Sequence, residues 1–296
     1  MKILLATDGS EHSERAASFL TGLNVTKDDE IIVLHAFSWA PVISEWELTY
    51  TDLKEIREEI APKILTSTVS ILSSVNARVT SSIEDGYPEK VIIDKAHDAG
   101  ADLIVMGGRG LRGAVSLIVG SVTKAVAVKS AKPVLIIKSS QKAESDPMRI
   151  IFATDGSVHS DGMMKVLCSV PFPDDTEIVI LNVVTTAFKD IPERFAIEIN
   201  DRIKGAVADA RKAEFKESAK ITRKASEHLS KRFSKIEELT KIGDPSEEIL
   251  NTVDSLNADI IAVGSSGMRG IKGILGSVTR YVLNHSKCSV LIGKTI

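Results

Sequence analysis

Met1 to Ser13 reads MKILLATDGSEHS, and 147 residues later Met148 to Ser160 reads MRIIFATDGSVHS. A duplication on this scale constrains the architecture before any motif is read, because what one half folds into the other half must fold into as well. The match continues. DGYPEKVIIDKAHDAGADLIVMGGRG (85–110) aligns at an offset of 157 with IGDPSEEILNTVDSLNADIIAVGSSG (242–267). The closing segments GSVTKAVAVKSAKPVLIIK (120–138) and GSVTRYVLNHSKCSVLIGK (276–294) align at an offset of 156, so the second copy lacks one residue between these blocks. Between the copies lies SSQKAESDP (139–147), polar, small and ended by proline, which is linker composition. The expected organisation is one domain over 1–138, a linker over 139–147 and a second domain over 148–296. The length of 296 residues agrees, at roughly 150 residues per domain.

Each half alternates two periodicities. In the first, short apolar runs at 3–7, 31–37, 77–83, 102–107 and 133–138 are rich in β-formers and bounded by turns, which predicts five strands. Helical stretches lie between them: about 10–22 behind Ser10 as N-cap, one within 44–75, 88–99 with Pro88 in its first turn, and about 120–130. Continuous apolar strands separated by amphipathic helices predict an α/β fold, two tandem Rossmann-like domains, each a five-stranded parallel sheet with helices on both faces. The last strands, at 134–137 and 290–292, are edge strands in such a topology. An apolar edge left open is a hazard, so the two are expected to pair with each other and form an intrachain pseudo-dimer. Association of two such chains would be a further step.

Composition narrows the partners. Thirty-seven Lys and Arg against forty Asp and Glu give a net charge of −3, so no global basic field favours nucleic acid or an anionic membrane. The uncharged stretch 113–123 falls far short of the roughly 20 apolar residues of a spanning helix. At the N-terminus Asp8 interrupts the apolar run too early for a signal-peptide core of about 7–15 residues. Cys168 and Cys288 have no CxxC spacing, consistent with a reducing compartment, and the expectation is a cytoplasmic protein.

Ligands of open parallel sheets sit beyond the carboxyl ends of the strands, near the point where strand order reverses. Strand one ends there in Ala6-Thr7-Asp8-Gly9-Ser10, and its copy in Ala153-Thr154-Asp155-Gly156-Ser157. Glycine serves the turn and serine caps the helix. Neither role explains the carboxylate, which can accept from a ribose hydroxyl or hold a water of a divalent cation. His12 and His159 fall in the first helical turn and are expected to face solvent. After strand four, Gly107 and Gly110 are followed by nine residues and then by Gly120-Ser121-Val122-Thr123, the pattern G-x2-G-x9-G-[ST]. Glycines let backbone amides approach an anion, and the helix start at Gly120 adds unpaired donors and the positive end of a dipole. The hydroxyls of Ser121 and Thr123 are expected to add donors. The bland alternative is that the glycines only turn the chain and pack the helix on the sheet.

Rival signatures fail. Gly108-Arg109-Gly110-Leu111-Arg112-Gly113 matches G-x-G-x-x-G, but it follows the fourth strand instead of the first, and its copy begins with Ser265. GxxxxGK[ST] is absent, which disfavours P-loop hydrolysis. Arg112 and Arg269 share one repeat position and could reach a terminal phosphate or simply be solvated. Arg109 faces Ser266 in the repeat, and Lys272 faces Val115, so neither cation is shared.

Together the Ala-Thr-Asp-Gly-Ser after strand one, the Gly-x-Pro before helix three and the G-x2-G-x9-G-S after strand four resemble the universal stress protein family, here as a tandem member. The resemblance spans nearly the whole chain except the linker and the segments 40–75 and 186–232. It implies an adenine-nucleotide fold, with ATP or AMP as ligand and magnesium carried with the nucleotide near Asp8 and Asp155 as the only metal. Asp8 would meet ribose or metal, and the backbone around Ala36 would meet the adenine edge. Gly107, Gly110, Gly120, Ser121 and Thr123 would hold ribose and phosphates. Ala6, Thr7, Met106, Arg109, Arg112 and Val122 flank these positions and complete the expected lining. In half two the matching residues are Asp155, Val183, Gly264, Gly267, Gly276, Ser277 and Thr279, flanked by Ala153, Thr154, Val263, Ser266, Arg269 and Val278. Only eight residues separate Gly267 from Gly276, so that loop is one residue tighter than the family spacing.

No general base is paired with a nucleophile in the sequence, and Asp8 alone does not make an ATPase. The resulting expectation is a nucleotide-binding regulatory module. The alternatives are a slow ATPase or self-phosphorylating protein, with Ser121, Thr123, Ser277 or Thr279 as acceptors, and a nucleotide-independent scaffold with unknown protein partners. The charge-laced stretch 190–232 predicts a solvated helix face. Trp39 and Trp46 are expected to pack rather than stack on a base.

Overall fold

The computed structural model describes residues 1–37, 50–110, 119–138, 146–185, 201–267 and 274–294. Trp39, Trp46, Arg112, Arg269, Lys272 and the linker residues 139–145 lie outside the described residues.

Half one runs β1 (Lys2–Ala6), α1 (Glu11–Thr21), β2 (Glu30–Phe37), α2 (Tyr50–Ile71), β3 (Arg78–Asp85), α3 (Pro88–Asp98), β4 (Leu103–Gly107), α4 (Ser121–Lys129) and β5 (Val134–Ile137). Half two repeats the order with β6 (Arg149–Ala153), α5 (Val158–Ser169), β7 (Glu177–Val184), α6 (Asp201–Leu229), β8 (Lys235–Ile242), α7 (Pro245–Leu256), β9 (Ile260–Gly264), α8 (Ser277–His285) and β10 (Ser289–Gly293). Local chemistry accounts for the starts. Ser10 and Ser157 cap α1 and α5 by accepting from the amides of Ser13 and Ser160, and Pro88 and Pro245 open α3 and α7 where a missing N–H costs nothing. In α6 the buried residues Ser218, Thr222, Ala225 and Leu229 recur at helical spacing, so one stripe of this charged helix faces the sheet and the rest is solvated.

All ten strands form one sheet in the order β3-β2-β1-β4-β5-β10-β9-β6-β7-β8. Within each half every pairing is parallel. β5 and β10 meet antiparallel, Leu135 opposite Leu291, so the two expected edge strands close on each other at a pseudo-twofold seam. The β1 register sets Ala6 beside Leu34 and Met106, which places the ends of three strands together at one crevice. The equivalent crevice of half two lies at Ala153, Leu181 and Val263.

The strand period of two sends alternate residues into two cores. Leu135, Ile137 and Leu291 join the cluster under α1, α2, α5 and α6, while Val134, Ile136, Val290 and Ile292 join the one under the other helices. Both clusters contain residues of both halves, so the seam is continuous core. On one face the Asn24 amide also donates to the Pro171 carbonyl, 2.8 Å away, joining the two α-to-β loops across the seam. Among the described residues no helix is long and apolar enough to cross a membrane.

Candidate functional site

At the end of β1 the chain turns through Gly9 at φ +77°, a left-handed conformation that glycine adopts without strain; Gly156 does the same at +76°. The turn is braced from within. Asp8 Oδ1 accepts from the Ser10 amide at 3.1 Å and from the Ser10 hydroxyl at 2.6 Å, which fixes one carboxylate oxygen. Asp155 Oδ1 accepts from the Ser157 amide at 3.0 Å. The second oxygen of each faces the glycine loop: a Cβ at Gly110 would lie 2.3 Å from Asp8 Oδ2, and one at Gly267 would lie 2.8 Å from Asp155 Oδ2. Carboxylate and loop thus touch, and a side chain at Gly110 or Gly267 would have to displace one of them.

Thr7 is buried and points away from the crevice. Its hydroxyl donates to Ser13 at 3.1 Å, accepts from the Gly9 amide at 3.3 Å and lies 3.1 Å from the Thr68 hydroxyl on α2. Its carbonyl is held by His35 Nδ1 at 2.9 Å, and since a carbonyl only accepts, Nδ1 carries the proton. In half two Asn182 Nδ2 makes the same bond to the Thr154 carbonyl at 2.7 Å. His35 and Asn182 fix the strand ends. In the sequence they are marked only by their shared repeat position and by their polarity inside an apolar strand.

The glycine loop leaves β4 at Gly107, against the backbone of α1. A Cβ there would stand 2.7 Å from the His12 carbonyl, and one at Gly264 would stand 3.0 Å from the His159 carbonyl, so these glycines seat the loop on the first turn of α1 or α5. Both histidines are half-buried instead of facing solvent as expected. Burial lowers the His12 pKa, and the nearby charges of Arg15 and Arg109 push it the same way. The loop returns at Gly120, whose amide donates to the Gly108 carbonyl at 2.9 Å; Gly276 donates to Ser265 at 2.8 Å.

The helices that start there, α4 and α8, have glycine at the N-cap, Gly120 and Gly276, which supplies no side-chain hydrogen bond to the first-turn amides. Ser121 and Ser277 are exposed in that first turn. Thr123 and Thr279 differ from the expectation of further donors: each is buried and donates its hydroxyl to the loop carbonyl at Gly107 (2.9 Å) or Gly264 (2.7 Å). They brace the loop. Met106, Ala6 and Val263 are likewise core side chains, while Ala36 and Val183 are half-buried near the ends of β2 and β7. Val122 and Val278 pack against the core, and Ala153 is half-buried beside it.

The two loops are not identical. Ser266, where half one has Arg109, is buried and donates to the Ile274 carbonyl at 2.8 Å, tying the shorter loop closed. Among the described residues no group of three or more His, Cys, Asp or Glu could hold a metal ion. Helix-start amides can donate to an anion, and an anchored carboxylate can accept from a hydroxyl.

The model of the family described as "Universal stress protein family" matches residues 1–138 and 147–294. A universal stress protein of Methanocaldococcus jannaschii is 31% identical over 158 residues, covering 46% of this chain and 94% of the relative. One from Thermus aquaticus is 32% identical over 136 residues, covering 46% and 97%. A crystal structure of a universal stress protein from Archaeoglobus fulgidus superposes with a TM-score of 0.64 at 22% identity, covering 99% of this chain and 98% of that one, a likeness of fold.

Proposed function

This chain belongs to the universal stress protein family, and from that membership and its two crevices we propose that it binds an adenine nucleotide, ATP or AMP, as a regulatory module of a stress response. One observation carries the reading: in both halves an anchored carboxylate and an uncapped helix start flank a loop where a single methyl group would strike the carboxylate. That is a cradle for a phosphate beside an acceptor for a ribose hydroxyl. The Asp8 and Asp155 carboxylates receive the ribose, the amides opening α4 and α8 receive phosphate, and the backbone at Ala36 and Val183 borders the base. A nucleotide would bring magnesium on its phosphates. Three or four charge-assisted hydrogen bonds at about 1.5–3 kcal/mol each, set against an association cost of at least about 4 kcal/mol, leave at most about 8 kcal/mol, which places the affinity at micromolar or weaker and excludes nanomolar binding.

The reading is of binding, with no turnover. Incubation of the full chain with labelled ATP is expected to leave the label as ATP while the protein retains it on filters. Retention lost in Asp8→Ala with Asp155→Ala, with the ATP intact, supports the reading. Steady release of labelled phosphate, abolished by the same pair, would replace it with a slow ATPase.

A further inference from the structure

Each half ends its last strand in a lysine that leaves its own half. Lys138, after β5, donates its Nζ to the carbonyls of Leu283 (2.9 Å) and Ser286 (2.6 Å) at the end of α8. Lys294, after β10, donates to Ala127 (2.6 Å) and, more weakly, to Val128 (3.4 Å) at the end of α4. The two are repeat equivalents, so the exchange across the seam is reciprocal. Both ammonium groups sit at the negative ends of helices whose positive ends open the opposite crevice.

Lys138 also touches its own loop. A Cβ on Gly108 would lie 3.1 Å from Lys138 Cγ, the Gly108 amide donates to the Ile137 carbonyl at 2.8 Å, and the Lys138 amide donates to Ser289 Oγ at 3.2 Å. Loop one therefore rests on the stem of the residue that holds α8. The other end of α8 is the first turn of crevice two, tied to that loop by Thr279 and Gly264. Running the other way, Lys294 reaches α4, whose start is tied to loop one by Thr123 and Gly107.

We propose that the two crevices are coupled, an anionic ligand in one raising the affinity of the other, with Lys138 and Lys294 as the links. This rests on the reading that the crevices bind nucleotide. The physical route is short. An anion at the start of α8 and the Lys138 ammonium at its end act favourably on one helix dipole and one chain of hydrogen bonds, so seating the anion tightens the hold of the end carbonyls on the ammonium. A more firmly held Lys138 fixes the Ile137–Lys138 backbone against which Gly108 is bonded, and loop one then loses less freedom when its own ligand arrives. Linkage makes the effect equal in both directions.

The test is calorimetric titration of the full chain with ATP. Wild type is expected to give two sites per chain and a Hill coefficient above 1, with the second site roughly fivefold tighter once the first is filled. Lys138→Met with Lys294→Met is expected to bind two ATP with a Hill coefficient of 1. Two independent sites in wild type, or a single site, overturn the coupling while leaving nucleotide binding standing. No binding to millimolar ATP overturns both readings. Cooperativity that survives in the double methionine variant removes the lysines as its links. The wild-type curve decides the coupling even where the variant folds poorly.

Discussion

Gly110→Ala tests whether carboxylate and glycine loop form one device. The added methyl would lie 2.3 Å from Asp8 Oδ2, against an ordinary contact of at least 3.4 Å, so carboxylate or loop must retreat by about 1 Å. Asp8 cannot swing aside freely, because its other oxygen is held by the Ser10 amide and hydroxyl. Releasing them loses hydrogen bonds to a charged group worth about 1.5–3 kcal/mol each, and keeping them moves the loop off the line of the α4 amides. Either way crevice one loses about one such bond to its ligand, a roughly 10- to 100-fold weaker affinity for ATP. The same change in half two, Gly267→Ala, meets Asp155 Oδ2 at 2.8 Å and calls for a shift of about half an ångström, so its loss stays below about tenfold. Calorimetric titration of the two variants separates the sites, with urea unfolding run alongside to show that both remain folded. Wild-type affinity at crevice one in Gly110→Ala, or a larger loss in Gly267→Ala, would refute the reasoning.

Three further outcomes are expected. Thr123→Val removes the hydroxyl that donates to the Gly107 carbonyl and keeps the volume, so it should lower stability in urea by about 1–2 kcal/mol and weaken ATP at crevice one; unchanged values would detach the loop from α4. Leu291→Ala, at the seam and fully buried, should cost about 2–5 kcal/mol and shift a single unfolding transition of the whole chain, whereas two separate transitions would show the halves to be independent. Burial lowers the pKa of both Lys138 and Lys294 from 10.5 to about 8, so between these values the unfolded lysine holds a proton that the folded one has lost, and stability rises with pH through that window. Each lysine contributes about 1 kcal/mol between pH 8 and 9. Above pH 9 the buried Cys288 thiol, raised to about 11, works in the opposite direction, so a flat or falling urea midpoint between pH 8 and 9 is the contrary result.

The fold was legible because the repeat doubled every signal. Strand runs, the serine caps at Ser10 and Ser157, and the prolines at Pro88 and Pro245 each occur twice at the same place, and pairing of the two apolar last strands follows from what an open edge would cost. The crevice was legible at Asp8 and at Gly9, Gly107 and Gly110, where a left-handed turn or a close contact disfavours any side chain. It was less so at Thr123 and Thr279. A hydroxyl in a helix's first turn can face a ligand or turn back to the strand carbonyl, and only the packing of α4 and α8 on β4 and β9 decides. His12 and His159 were misplaced for a similar reason: the loop leaving Gly107 or Gly264 comes down on that turn and covers it. The crossed lysines were present in the repeat as Lys138 and Lys294. Their role emerges only once two helix ends are seen to meet at the seam.

The central claim, an adenine nucleotide in each crevice, is tested most directly by equilibrium dialysis of the nucleotide-stripped full chain against labelled ATP and AMP. The account predicts two molecules bound per chain at micromolar concentration, one lost in Gly120→Val and the other in Gly276→Val, since each substitution places a branched side chain against the facing loop. No retention of either nucleotide up to millimolar concentration would contradict it and leave the repeated glycine loops as scaffold.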